Sequence, residues 1–131
     1  MNRELVSTDK ALKPIRPYYS QAVKVSSSGT QIYVAGQTWD PKIGGAAKGD
    51  PAAQTEFALE NMKAVLEAAG ATMEDVVKVT VYVRNMEDLD KIAPVRLKYF
   101  GKSPPASTIV EVVKLYHPDL LIEIDAIAAI Q

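Results

Sequence analysis

The sequence predicts an α+β domain in which two helices lie over one face of a single mixed β-sheet. Three observations carry that reading. Val77, Val79, Val81 and Val83 alternate strictly with Lys78, Thr80, Tyr82 and Arg84, the pattern of a half-buried strand. Ala58, Leu59, Met62, Val65, Leu66 and Ala69 recur at helical spacing. The elements run in the order strands, helix, strand, helix, strand, strand. No linker or low-complexity stretch divides the 131 residues, so residues 1–131 are read as one domain.

Taken in order, residues 21–26 and 31–38 read as a hairpin turning about Ser28-Gly29. Asp50-Pro51 opens the first helix, with Asp as N-cap, Pro at N1 and Gln54 near the first turn. Gly70 closes it as a C′ glycine. The alternating strand covers residues 75–84. A second helix runs from about Glu87 to Phe100, capped by Asn85, with Leu89, Ile92 and Tyr99 apolar and Gly101 as its stop. Residues 107–115 and 120–130 form the last two strands, joined by a turn through His117-Pro118-Asp119.

The last strand is the most informative. One face is apolar throughout: Leu120, Ile122, Ile124, Ala126, Ala128, Ile130. The other reads Leu121, Glu123, Asp125, Ile127, Ala129, apolar at its ends with two acids between. Two helices cover one face of a sheet. The second face calls for another cover, and a further copy of the chain is the economical one. A homo-oligomer with carboxylates near its interface is expected.

Composition narrows the chemistry. Fifteen Lys and Arg against sixteen Asp and Glu give a net charge of −1, which argues against general affinity for nucleic acid or an anionic membrane. No cysteine is present, so disulfides, thiolate nucleophiles and Cys-ligated metals are excluded. His117 is the one histidine, which excludes sites that need two, and it reads as a turn residue. Residues 1–10 lack a secretory h-region and no apolar run approaches a membrane span, so a cytoplasmic protein is expected. Carboxylates, hydroxyls, Lys, Arg and backbone groups remain.

Glu123 is the first candidate. It reads either as a solvated strand-face acid or as a partly buried carboxyl whose raised pKa lets it hold or activate a water. Glu111 has the same two readings, with structure favoured. Tyr18 and Tyr19 point to opposite faces, so one of them can line a pocket. Gly36 permits close backbone approach to a ligand, or serves a turn. Trp39 is read as an interface residue. Gly44, Gly45 and Gly49 lack the spacing of a phosphate loop.

With these segments placed, the sequence resembles the Rid family of reactive intermediate deaminases, also called YjgF-like or endoribonuclease L-PSP proteins. The carriers run from Tyr19 to about Ile127: Tyr19-Ser20-Gln21-Ala22, Val34-Ala35-Gly36-Gln37, Asn61-Met62-Lys63 through Gly70, and Val76 to Val83. Pro105-Ala106-Ser107-Thr108-Ile109-Val110-Glu111-Val112 and residues 122–128 continue it, in order and at matching spacing. The resemblance implies a chorismate-mutase-like sandwich and a homotrimer with clefts between subunits. It implies hydrolysis of imines or enamines, in which water adds to the C=N carbon and ammonia leaves, with no metal or other cofactor.

The resemblance makes Glu123 the residue that positions water, Gly36 the backbone group in the cleft, and Tyr19 its tyrosine, with Tyr18 the alternative. In the deaminase members an Arg following Pro-Ala grips the substrate carboxylate; here that position is Ser107. The serine before the glycine is Ala35, a helix asparagine is Ala93, and the loop from Phe100 to Ser107 is shortened. Ser107 and Thr108 then become hydroxyl replacements for the anchor. Arg96, one turn beyond Ala93, is either a substitute anchor or a surface residue on an exposed flank. The implied substrate is an imine or enamine other than the small 2-imino acids, such as a 2-aminomuconate-type acid. The alternative is a non-catalytic trimer whose clefts bind a small molecule; a ribonuclease carries little weight at this charge and histidine count.

Overall fold

The computed structural model describes residues 2–26 and 29–131. Its strands are β1 (Asn2–Val6), β2 (Ala22–Ser26), β3 (Thr30–Gln37), β4 (Val76–Val83), β5 (Ala106–Glu111) and β6 (Ile122–Ile130). Its helices are α1 (Pro51–Ala68) and α2 (Leu89–Phe100). Four strands form a mixed sheet in the order β3-β6-β4-β5: β6 is antiparallel to β3 and β4, and β5 is parallel to β4. The crossover from β4 to β5 carries α2, as a parallel pair requires.

The expected hairpin does not form. β2 pairs instead with the N-terminal β1 in a separate two-stranded ribbon, and β3 lies beside β6. Val34 explains the preference of β3: opposite Ala126 it is buried in the core. Arg3 docks the ribbon, donating to the carbonyls of Val76 at 2.8 Å and Ser103 at 3.1 Å. Gly29 of the expected turn is described; Ser28 lies outside the described residues.

The first helix follows its signals. The Asp50 carboxylate accepts from Ala53 N–H at 3.1 Å, and Gly70 has φ +84°, the left-handed conformation that closes a helix. Asn85 caps the short turn ahead of α2 by accepting from Glu87 N–H. β5 ends at Glu111 rather than reaching Leu115, because β4 stops at Val83 and offers nothing further to pair with.

Leu59, Met62 and Leu66 of α1 and Ile92 and Phe100 of α2 pack with Val79, Val81, Ile122, Ile124 and Ala126 of the sheet. Among the described residues no helix lies over the opposite face. Tyr33 stays 70% exposed there, and Val110 is exposed as well. Trp39, expected at an interface, is instead fully buried within its own chain beside Ala47 and Leu120. Its loop folds back across the start of α1, which removes the indole from the surface.

Gln54 ties that loop to the strand carrying Glu123. Fully buried, it donates to the carbonyls of Ala47 and Asp119 at 3.1 and 3.0 Å and accepts from Leu121 N–H at 2.9 Å. A Gln54→Leu variant leaves the Asp119 carbonyl and the Leu121 N–H without partners, while the Ala47 carbonyl keeps the Asp50 N–H. It should lose about 3 kcal/mol of stability, read as a lower urea midpoint at unchanged slope.

Candidate functional site

Two clusters stand out, one on each face of the sheet. On the open face, Glu123 of β6 lies opposite Tyr82 of β4. On its other side β3 is irregular between Val34 and Gln37, and Gly36 sits in that irregularity. A Cβ on Gly36 would overlap the Glu123 carboxylate and stand 2.7 Å from its Cδ. The missing side chain is the seat of the carboxyl. Burial, then the charge of Asp125, pushes the Glu123 carboxyl above the usual carboxylate range.

Asp125 shares that face and is provided for differently. Tyr82 donates its hydroxyl proton to Asp125 Oδ2 at 2.9 Å. That bond, ahead of burial, raises the Tyr82 phenol above its ordinary value. Among the described residues no group donates a hydrogen bond to Glu123.

The second cluster lies beneath α2. Arg96 is 2% exposed, which overturns the surface-flank alternative. Its Nη2 donates to Ser107 Oγ at 2.7 Å, and its guanidinium carbon lies 4.5 Å from the centre of the Tyr18 ring. Burial lowers its pKa, opposed by Tyr18, and among the described residues its Nε finds no acceptor. The sequence held a signal for this: Arg96 is four residues from both Ile92 and Phe100, inside the apolar stripe of α2.

Tyr18 is buried in the core and borders a cavity of about 320 Å³ with Arg16, Ala93 and Pro94, whereas Tyr19 opens to a different one. That cavity, about 400 Å³, is lined by Tyr19, Ser107, Thr8, Lys13 and Ser20 among others. Tyr19 Oη accepts from Ile15 N–H at 3.1 Å. Ser107 and Thr108, expected to act together, are separated by strand alternation: Ser107 faces Arg96, whereas Thr108 is on the open face and accepts from Lys78 Nζ at 2.7 Å.

Glu111 serves the fold, its carboxylate accepting from Met86 N–H at 2.9 Å. His117 Nδ1 accepts from Asp119 N–H at 3.0 Å within its turn. One chain does not bring the two clusters together: Ser107 lies in the row of Val79 and Ala126, and Glu123 in the row of Tyr82. No helix of the described residues is long and apolar enough to cross a membrane.

Known proteins share this architecture. The family described as Endoribonuclease L-PSP matches residues 8–130. A RutC family protein of Pyrococcus abyssi is 51% identical over 129 residues, covering 98% of both chains. A 2-iminobutanoate/2-iminopropanoate deaminase of Salmonella typhimurium is 37% identical over 127 residues, covering 94% of each. The crystal structure of a Rid family protein of Yersinia pestis, of unknown function, superposes with a TM-score of 0.85 at 35% identity, covering 99% of this chain and 100% of that one. With nearly its whole length matched in sequence and in fold, the chain belongs to the Rid family of YjgF-like, endoribonuclease L-PSP proteins.

Proposed function

We propose that the chain is a cofactor-free hydrolytic deaminase of an anionic imine or enamine other than the small 2-imino acids, acting as a homotrimer with its clefts between subunits. The observation that carries this reading is the Glu123 carboxyl, seated against Gly36 and raised in proton affinity by burial and by Asp125. Such a group can hold a water against a C=N carbon, take its proton and return a proton to nitrogen at neutral pH. Relatives named as imine deaminases at 37% identity support the reaction class.

The second cluster suits the anchor. Ser107 accepts from Arg96 and Tyr19 accepts from a backbone N–H, so both hydroxyls keep their protons for a third group. Two donors on one cavity, with a buried guanidinium behind one of them, favour a carboxylate. Because the clusters lie on opposite faces, an intact site calls for Glu123 of one subunit and the anchor of another. The uncovered sheet face, with exposed Tyr33 and Val110, is where subunits would meet.

Arg96→Met, which keeps the stem and removes the charge, should raise KM for carboxylate-bearing imines about ten-fold, with kcat within a few-fold. Steady-state rates on imines generated by an amino-acid oxidase test this. An unchanged KM would detach Arg96 from the substrate. Saturable binding of small acids without turnover of any imine would favour the non-catalytic binding protein instead.

A further inference from the structure

The open face carries two carboxyl groups on one strand, and the proposed reaction uses one. Asp125 receives the Tyr82 hydroxyl at 2.9 Å, while among the described residues Glu123 receives no donor. Register makes the contrast sharper. Tyr82 is the cross-strand partner of Glu123, yet its hydroxyl reaches past it to the carboxyl two residues on.

We propose that Tyr82 and Asp125 are positioning residues that divide the work of the two acids, with the Tyr82 hydroxyl holding the Asp125 carboxyl in place beside Glu123 and Glu123 left to carry the proton that moves in the reaction. This rests on the deaminase reading and deepens it. Donation by a phenol stabilises a carboxylate over its protonated form. A fixed negative charge beside Glu123 then makes loss of the Glu123 proton harder, and burial against Gly36 acts in the same direction.

The other groups that face Glu123 do not undo this. From β4, Lys78 is engaged with Thr108, and Arg84, just past the strand end, has a buried Nε without a partner and no ion pair with Glu123 among the described residues. From β3, the neighbours at the irregularity are Ala35, Gly36 and Gln37, which do not titrate. Asp125 is the charge that acts on Glu123.

Protons balance through Glu123 alone. In the first step the protonated carboxyl gives its proton to the imine nitrogen while the water oxygen bonds to carbon, and a water proton returns to the carboxylate. In the second step the carboxyl protonates the amino group of the carbinolamine. The C–N bond then breaks with its electron pair on nitrogen, the C=O bond forms, and the hydroxyl proton passes back to Glu123. The sum is imine plus water giving ketone plus ammonia.

The test is a carboxyl-carbon NMR titration of the assembled protein, specifically labelled at Glu and Asp, for the native chain, Asp125→Asn and Tyr82→Phe. Asp125→Asn should lower the Glu123 midpoint by about one pH unit. Tyr82→Phe, which releases the Asp125 carboxyl from its donor, should also shift the Glu123 midpoint. Both changes are near-isosteric, and the titration needs no turnover. A Glu123 midpoint that is the same in all three proteins overturns the proposal, whatever the variants do to stability. If the midpoints move as expected but Glu123→Gln retains full activity, the deaminase reading falls and the division of the two acids stands.

Discussion

A Gly36→Ala variant folds normally and loses about 10–100-fold in kcat. The expectation follows from what an added methyl would meet. It would overlap the end of the Glu123 side chain, with Cδ 2.7 Å and Cγ 3.0 Å away and no backbone atom among its nearest neighbours. A flexible side chain can swing aside at small cost to the fold, but the carboxyl then leaves its seat. A displacement of about 1 Å is enough to spoil a proton transfer. The measurement is a thermal melt beside steady-state kinetics. Full activity in a normally folded variant would show that Gly36 does not set the carboxyl; a large drop in melting temperature would place the residue in the fold rather than the site.

Glu123→Gln has the larger effect, a loss of about 10²–10⁴ in kcat, because it removes the group that accepts and returns the proton while keeping its shape. Its effect on stability has the opposite sign. A carboxyl whose pKa is raised on folding binds its proton more tightly in the native state. Its contribution is fully present below the ordinary carboxylate range and is lost as pH rises through the folded value. At pH 7, above the ordinary carboxylate range, the buried carboxyl therefore costs the fold stability that the amide does not. The variant should be at least as stable as the native protein at pH 7, with the advantage disappearing near pH 4. Urea unfolding at the two pH values checks the sign. An inactive variant that is also less stable at pH 7 would point to a structural role for the carboxylate.

Much of the fold was legible because the pattern was strict. The alternating valines of β4, the Asp50-Pro51 start and Gly70 stop of α1, and the two faces of β6 each follow from one period or one cap. The N-terminal ribbon was not legible. Asn2–Val6 is short and mostly polar, and what docks it is Arg3 reaching carbonyls more than seventy residues away. The pairing of β3 with β6 instead of β2 is also a tertiary choice, made by Val34 entering the core.

The site was legible in its parts and not in its arrangement. Glu123 stood out because two acids interrupt an apolar row. Gly36 stood out as a glycine near a strand end, but that it seats Glu123 depends on a strand irregularity that no spacing encodes. Ser107 and Thr108 occupy the position expected for the anchor, but adjacent strand residues face opposite ways, so only Ser107 meets Arg96. Tyr82 and Asp125 went unpaired because their contact runs diagonally across strands 43 residues apart.

The measurement that bears most directly on imine hydrolysis at Glu123 is made on the native chain and Glu123→Gln side by side. An amino-acid oxidase generates 2-imino acids from amino acids with long or acidic side chains, semicarbazide traps what is left, and the loss of semicarbazone reports turnover. The native protein should suppress semicarbazone formation with at least one anionic imine, and the Glu123→Gln protein should leave it at the level of the oxidase alone. Equal suppression by both proteins would contradict the account.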